Sequence, residues 1–243
     1  MSDIPSTIID KAIDGKDMTT LRLSIRRKAK PGQFVMVWAP GVDEIPMSLS
    51  YVHDYWGITI RSIGEATRAL SSMNVGDRVG IRGPYGNGFN IPEGRILLVG
   101  GGTGIAAVLP AADVINDKSR VDIAIGARTA SELIFLERSR SLSNNVREAT
   151  DDGTMGFWGT VVEVASNMMK EKDYDMALGC GPEGMLNYLH LACKESRTPC
   201  QLSLERFMKC GSGLCGSCLI DGHRVCADGS VFAGEEIDGM REF

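Results

Sequence analysis

The stretch RILLVGGGTGIAAVLPAADVI, residues 95–115, decides how this chain is read. Its opening, RILLVG, is a continuous apolar run that suits a strand buried on both faces, and IAAVLPAADVI is an apolar segment of helical length. Between them lies the glycine loop 100–104. Glycine lets a backbone come close to a pyrophosphate, and the N-terminus of the next helix offers free N–H groups and a positive dipole end. The loop departs from G-x-G-x-x-G, because Ile105 stands where the third glycine would be. Taken alone, it is equally a turn that packs a helix on a sheet.

Downstream the pattern repeats. VDIAIGA (121–127) is a second strand, SELIFLERSRSL (131–142) and TVVEVASNMMKE (160–171) read as helices, and DMALGCG (175–181) is a buried strand opening onto the helix PEGMLNYLHLACKES (182–196). Strands alternating with helices imply a parallel sheet with crossover helices. Ligands of such sheets sit outside the carboxyl ends of the strands. Gly101, Gly102, Thr103 and Gly104 stand there, as do Cys180, Gly181 and Pro182, and together they predict a dinucleotide crevice. Cys180 is also a small residue that a core would accommodate. Arg128, after the second strand, is placed for a ribose 2′-phosphate, for adenine or for solvent.

Upstream, residues 1 to about 92 break into short alternating segments, TTLRLSIRR, GQFVMVWAP, SLSYVHDYWGITIRSIG and DRVGIRGPYG, bounded by turn residues at intervals suited to an antiparallel barrel. The one helical stretch there is ATRALSSM after Gly64. In EIPMSLSY, Pro46 stiffens the strand and Ser48 and Ser50 either line a ligand site or form a polar solvent face. Thr67 near a helix start offers a second place for an anion.

The C-terminal run KCGSGLCGSCLIDGHRVC holds Cys210, Cys215, Cys218 and Cys226 as C-x4-C-x2-C with a fourth cysteine further on. That is the plant-type [2Fe–2S] spacing. Structural zinc sites use two separated pairs, which fits three closely spaced ligands poorly. A disulfide framework fits no better, because seven cysteines are an odd number and the N-terminus carries no signal segment. His223 has no second histidine beside it, as a Rieske centre would need, and reads as surface. Beyond about Phe207 the chain is poor in apolar residues, so its order would depend on the metal. Gly211 to Gly216 with Leu214 form a loop small enough to let a redox partner approach.

A net charge of −5, with acids and bases interspersed, gives no basic stripe for nucleic acid. The longest uncharged stretch, Ile96 to Ala112, is interrupted by glycines and Pro110 and reads as strand, loop and helix, not as a membrane span. Thiolates kept for metal point to a reducing compartment, the cytoplasm by default. The expected architecture is α+β and multidomain: an antiparallel β-barrel (1–92), an α/β parallel-sheet nucleotide domain (93–206) and a small [2Fe–2S] domain (207–243).

Taken in order, PMSLS, GEATRAL, LLVGGGTGIAA and LGCGPEGM make the chain resemble the ferredoxin–NADP reductase superfamily. The tail SLERFMKCGSGLCGSCLIDGHRVCADGSVF resembles one branch, the electron-transfer subunits of NAD-dependent (class 1B) dihydroorotate dehydrogenases. The resemblance implies FAD along Ile45, Pro46, Met47, Ser48 and Leu49, its diphosphate at Ala66 and Thr67, and its adenylate side at Ile60 and Arg61. It implies an NAD(H) pocket at Gly101 to Gly104 and Cys180, Gly181, Pro182 and Met185, with no catalytic acid or base. Ile45 stands where the superfamily usually has arginine, so a phosphate contact would come from Arg61 or Arg68. Ala107 replaces a usual proline. The implied activity relays electrons between NAD(H), FAD and the cluster to or from the FMN of a dihydroorotate dehydrogenase catalytic subunit in pyrimidine biosynthesis, in an assembly with two copies of each chain. Flavin subunits of sulfhydrogenases and ferredoxin-dependent NADP reductases share the cysteine loop and form the alternative.

Overall fold

The computed structural model describes residues 4–241. The outer ends of the first and third expected units, residues 1–3 and 242–243, lie outside them. Strands β1 (Ile4–Gly15), β2 (Met18–Leu23), β3 (Phe34–Ala39), β4 (Asp43–Tyr51), β5 (Gly57–Arg61) and β6 (Arg78–Tyr85) close into an antiparallel barrel in the order β1-β2-β5-β4-β3-β6. Helix α1 (Glu65–Ser72) covers one side of it. Alternating inward residues fill the barrel: Leu21, Leu23, Val35, Val37, Leu49, Ile58 and Ile81 are fully buried around Trp56, whose Nε1 donates to the Arg27 carbonyl at 2.9 Å. The segment 48–64, read as one unit, is the end of β4 and all of β5, joined by a turn in which Asp54 takes φ +55°.

The remaining elements are β7 (Ile96–Gly101), α2 (Ile105–Val108), α3 (Pro110–Ile115), β8 (Val121–Ala127), α4 (Leu136–Leu142), β9 (Asn145–Thr150), β10 (Phe157–Trp158), α5 (Val161–Glu171), β11 (Met176–Cys180), α6 (Glu183–Ser196) and β12 (Cys200–Ser203). The tail adds the hairpin of β13 (Leu219–Ile220) and β14 (His223–Arg224), then β15 (Val231–Ala233) and α7 (Gly234–Ile237). The sheet order is β10-β9-β8-β7-β11-β12-β15, parallel throughout except that β15 runs antiparallel to β12.

Three local expectations change. The apolar segment 105–115 is divided at Pro110, which brings no N–H to the helix. The segment 131–142 is α-helical only from Leu136, because Leu133, Ile134 and Phe135 turn their side chains into the core and Phe135 adopts φ +60°. The tail is not ordered by metal alone: β15 extends the sheet, and Phe232, Ile237 and Met240 join the same apolar core as Leu202 and Leu189.

Barrel and sheet are clasped by Arg138 on α4. Its guanidinium donates to the Ser50 carbonyl at 2.8 Å and to Asp113, and stacks 3.7 Å from the Tyr51 ring, which also meets Arg22 at 3.9 Å and the edge of Phe135. Arg138→Ala removes a stacked cation and leaves a carbonyl and a carboxylate without their donor. We expect a loss of about 2 kcal/mol in urea unfolding. An unchanged urea midpoint would mean that the clasp adds no stability.

Candidate functional site

Strands β7 and β11 are neighbours, with Gly100 opposite Cys180, so the two loops expected at a crevice stand side by side at the carboxyl edge. Packing explains part of the glycine loop. A Cβ on Gly104 would lie 2.2 Å from the Cys180 carbonyl oxygen, and one on Gly101 would lie 2.3 Å from Met185 Sδ. Gly181 is held the same way, 2.7 Å from Met185 Sδ. Gly102 differs: at φ +54° it faces open space. The loop is therefore both a packing turn and an open edge.

That edge borders a cavity of about 630 Å³ lined by Gly101, Gly102, Pro182 and Met185, together with Gly126, Asp151, Thr160 and Tyr188. Arg128 and Glu132 stand in its wall, with Arg128 Nη2 2.6 Å from Glu132 Oε1 and Nε 3.0 Å from Oε2. Arg61 reaches the same carboxylate at 3.6 Å. The Glu132 carboxyl is held below its usual range, first by its hydrogen bond to Arg128 and then by the charges of Arg128 and Arg61. Arg128 thus meets the cavity already paired.

A second cavity of about 310 Å³ lies where barrel, sheet and tail meet. Pro46, Met47 and Ser48 of β4 and Thr59 and Arg61 of β5 form one wall, Thr103, Gly104 and Cys180 another, and Ser203, Glu205, Arg206 and Met208 the third. Ser48 faces this cavity. Ser50 does not face solvent either: it is fully buried and accepts from Thr59 Oγ1 at 2.9 Å. Burial pushes the Cys180 thiol up to about 12, and the Glu205 carboxylate adds to the shift. Glu205 is exposed toward the cavity, and desolvation by the protein around it raises its carboxyl. The cavity is low in dielectric beside Cys180 and carries the cations Arg61 and Arg206 at its rim, which fits a ligand with an uncharged ring system and a phosphate end.

The other implied flavin residues lie outside this wall. Leu49 and Ile60 point into the barrel core, and Ile45 packs against the same core in register with Val37. Ala66 is buried in α1. Thr67 Oγ1 accepts the N–H groups of Ile63 at 3.1 Å and Gly64 at 2.7 Å, and so builds the turn that starts α1. Ser203 to Met208 were not legible as site residues, because only the placement of β12 next to β11 brings them to the cavity. The one sequence signal was their position after a segment ending in alternating Ser and Leu.

The cysteine loop lies against the barrel. Arg82, paired with Glu44, donates to the Cys210 carbonyl from both terminal nitrogens at 3.3 Å, and a Cβ on Gly211 would lie 2.7 Å from Met36 Cγ. Gly211, Gly213 and Gly216 all take positive φ, which lets backbone N–H groups turn toward sulfur. Ser212 N–H points at Cys210 Sγ at 3.4 Å, Gly213 N–H at Cys226 Sγ at 3.2 Å, and Cys226 N–H at Cys218 Sγ at 3.4 Å. The N–H of Ser212, and then that of Cys215, bring the Cys210 thiol down to about 5, whereas burial lifts that of Cys226 to about 11. Cys215 is exposed, and Cys218 and Cys226 are buried. Cysteine sulfurs supplied with N–H donors are the donor set that a [2Fe–2S] cluster requires. Met208 lines the second cavity and Cys210 is two residues further on, a span of at most about 7 Å.

A barrel facing a parallel nucleotide sheet across such a cavity is the layout of the ferredoxin–NADP reductase class of flavin-dependent oxidoreductases. Solved structures share it. The chain superimposes on the NADH-dependent reduced ferredoxin–NADP oxidoreductase, described for flavin-based electron bifurcation, with TM-score 0.86 and 28% identity, covering 98% of this chain and 90% of that one. The FAD/NAD-binding domain of a Vibrio cholerae nitric oxide dioxygenase shares the fold at TM-score 0.69 and 19% identity, over 80% of this chain and 93% of that one. Residues 205–238 match the iron–sulfur cluster binding domain of dihydroorotate dehydrogenase B. Among relatives, the "Probable dihydroorotate dehydrogenase B (NAD(+)), electron transfer subunit" of Methanothermobacter thermautotrophicus is 46% identical over 90% of this chain and 83% of its own length. Its namesake in Thermoplasma acidophilum is 44% identical, over 95% and 89%. The chain belongs to this family of electron transfer subunits. It is an oxidoreductase subunit whose cofactors are FAD, a [2Fe–2S] cluster and NAD(H).

Proposed function

We propose that electrons pass between NAD(H) in the larger crevice, FAD in the cavity behind it and a cluster on Cys210, Cys215, Cys218 and Cys226, and then to or from the FMN of a dihydroorotate-oxidising subunit. The carrying observation is the shared wall: Thr103, Gly104 and Cys180 border the flavin cavity from the nucleotide loops, and Met208 borders it two residues before the first cysteine. Flavin is the group that takes a two-electron hydride and releases single electrons, as a [2Fe–2S] cluster needs. The chain's own residues place and shield these groups. Pro46, Met47 and Ser48 hold the flavin ring side, Arg61 and Arg206, already paired with Glu132 and Glu183, bring positive charge to the phosphate end, and buried Cys180 keeps the ring face dry. Ile45, Leu49, Ile60, Ala66 and Thr67 serve by backbone and packing. Gly101, Gly102, Thr103, Gly104, Gly181, Pro182 and Met185 shape the nicotinamide side. The barrel 1–92, the nucleotide domain 93–206 and the cluster domain 207–243 would be the working units.

Anaerobic addition of NADH to the purified, reconstituted chain tests this reading: the flavin should bleach, and acid extraction should release FAD. Release of FMN alone would overturn the placement of the flavin. The bifurcating-enzyme likeness supports a second reading, in which the chain serves a different flavoprotein subunit. Co-purification with a dihydroorotate-oxidising subunit separates the two.

Leu214, 86% exposed at the tip of the cysteine loop, and Phe207, 72% exposed, give the partner an apolar landing point beside the cluster. The assembly we propose has two copies of each chain and works in the cytoplasm; among the described residues no helix is long and apolar enough to cross a membrane. Leu214→Glu should weaken the complex about 30-fold while NADH-to-dye activity stays intact. Sedimentation or calorimetry of the mixed subunits measures it, and unchanged affinity would move the interface elsewhere.

A further inference from the structure

A second group of reactive side chains sits at the far end of β12. Ser203 at one end of that strand borders the flavin cavity, whereas Cys200 at the other borders a separate cavity of about 680 Å³. Three residues of strand hold the two sites about 10 Å apart. Cys200 Sγ lies 3.6 Å from His190 Nδ1, and His190 Nε2 lies 2.9 Å from Asp238 Oδ1. Lys194 Nζ donates to the same carboxylate oxygen at 2.7 Å and steadies it. From the end of α6, Cys193 enters the same buried cluster as Cys200, with its Sγ 4.0 Å from Met169 Sδ, and the two thiols influence each other's titration. Thr198 N–H donates to the Cys193 carbonyl at 2.9 Å, which folds the short connection back and holds the two cysteines together. Neither thiol belongs to the electron relay.

The pair is asymmetric, because only Cys200 meets the histidine. The interaction with the Cys193 thiol, and then that with His190, bring the Cys200 thiol down in spite of burial. Cys193 is raised, first by its interaction with Cys200 and then by burial. At His190 burial opposes protonation, but the contacts with Cys200 and Asp238 outweigh it and raise the imidazole. Cys200 is 7% exposed, and Gly234 leaves the space over its sulfur clear, since a Cβ there would come to 3.0 Å from Sγ.

We propose that Cys193 and Cys200 are a peroxide-oxidisable thiol pair, with Cys200 as the attacked sulfur, His190 as its proton acceptor and Cys193 as the resolving thiol. His190 takes the Cys200 proton, and the thiolate attacks one oxygen of hydrogen peroxide. An S–O bond forms, the O–O bond breaks, and the departing hydroxide takes the proton back from His190 as water. Cys193 then attacks the sulfenic sulfur; an S–S bond forms, the S–O bond breaks, and a second water leaves with the Cys193 proton. The two thiols supply the two electrons that reduce the peroxide.

The test uses the holo chain with FAD and cluster bound. It is treated with hydrogen peroxide for timed intervals, blocked with an alkylating agent, digested and analysed by mass spectrometry. The expected product is a peptide pair linked through Cys193 and Cys200 and lighter by two hydrogens. Cys200 should react at least about tenfold faster than buried Cys180, whose thiol is pushed up. In Cys193→Ser, dimedone should trap a sulfenic acid on Cys200. His190→Asn should slow oxidation about tenfold, and Asp238→Asn, at the surface, should slow it less while leaving the melting temperature close to that of the parent chain. The proposal is overturned if Cys200 reacts no faster than Cys180. It is equally overturned if neither the His190 nor the Asp238 variant slows the reaction, or if oxidised Cys200 never links to Cys193.

Discussion

Replacing Cys215 by serine strips iron and sulfide from the chain and leaves its flavin in place. Cys215 is the exposed member of the four, at the tip of a loop held by Gly213 and Gly216, and its loss leaves three of the four thiolates. Cluster iron should fall at least about tenfold. The tail keeps its fold in part, because β15 and Phe232 are fixed in the sheet and core independently of the metal. FAD, which we propose sits among β4, β5 and the nucleotide loops, should stay at one per chain. NADH-to-dye activity should therefore survive while electron delivery to the partner subunit disappears. Iron and sulfide assays with acid-released flavin measure both halves, and a variant with full iron content would refute the ligand assignment.

Gly104→Ala has the next largest consequence, because its new methyl group meets backbone. The added Cβ would lie 2.2 Å from the Cys180 carbonyl oxygen and 2.6 Å from the Gly181 nitrogen, so the two loops must part. Over-packing of this kind costs about 3 kcal/mol. Since both loops border the two cavities we propose for FAD and nicotinamide, NADH reduction of FAD should slow about 100-fold. Gly102→Ala is the contrast: nothing stands within 4 Å of its Cβ, and only the positive φ is unfavourable, at about 1 kcal/mol. Stopped-flow reduction and thermal melting of both variants decide the matter. Equal behaviour of the two would mean that close packing of the loops does not govern the site.

What the sequence disclosed was chemistry tied to local spacing. The cysteine loop, the alternation of buried strands with helices and the two glycine-bearing turns are all set by residues close together in the chain. What it concealed came from distant contacts. Strand β1 carries the charged residues Asp10, Lys11 and Asp14 along its second half, so its apolar signal was diluted. β12 is only four residues long, and its strand character comes from lying between β11 and β15. The third wall of the flavin cavity, Ser203 to Met208, could not be inferred without that placement. The non-helical segment Leu133 to Phe135 looked helical because its apolar side chains, which the core demands, fit either period.

The relay is tested most directly by mixing the anaerobic, reconstituted chain with NADH, freezing samples through the first turnover and recording electron paramagnetic resonance. The account predicts flavin bleaching followed by the signal of a reduced [2Fe–2S] cluster, formed fast enough to support transfer to the dihydroorotate-oxidising subunit and absent in Cys215→Ser. Transfer to that subunit at full rate with the cluster remaining oxidised throughout would contradict it.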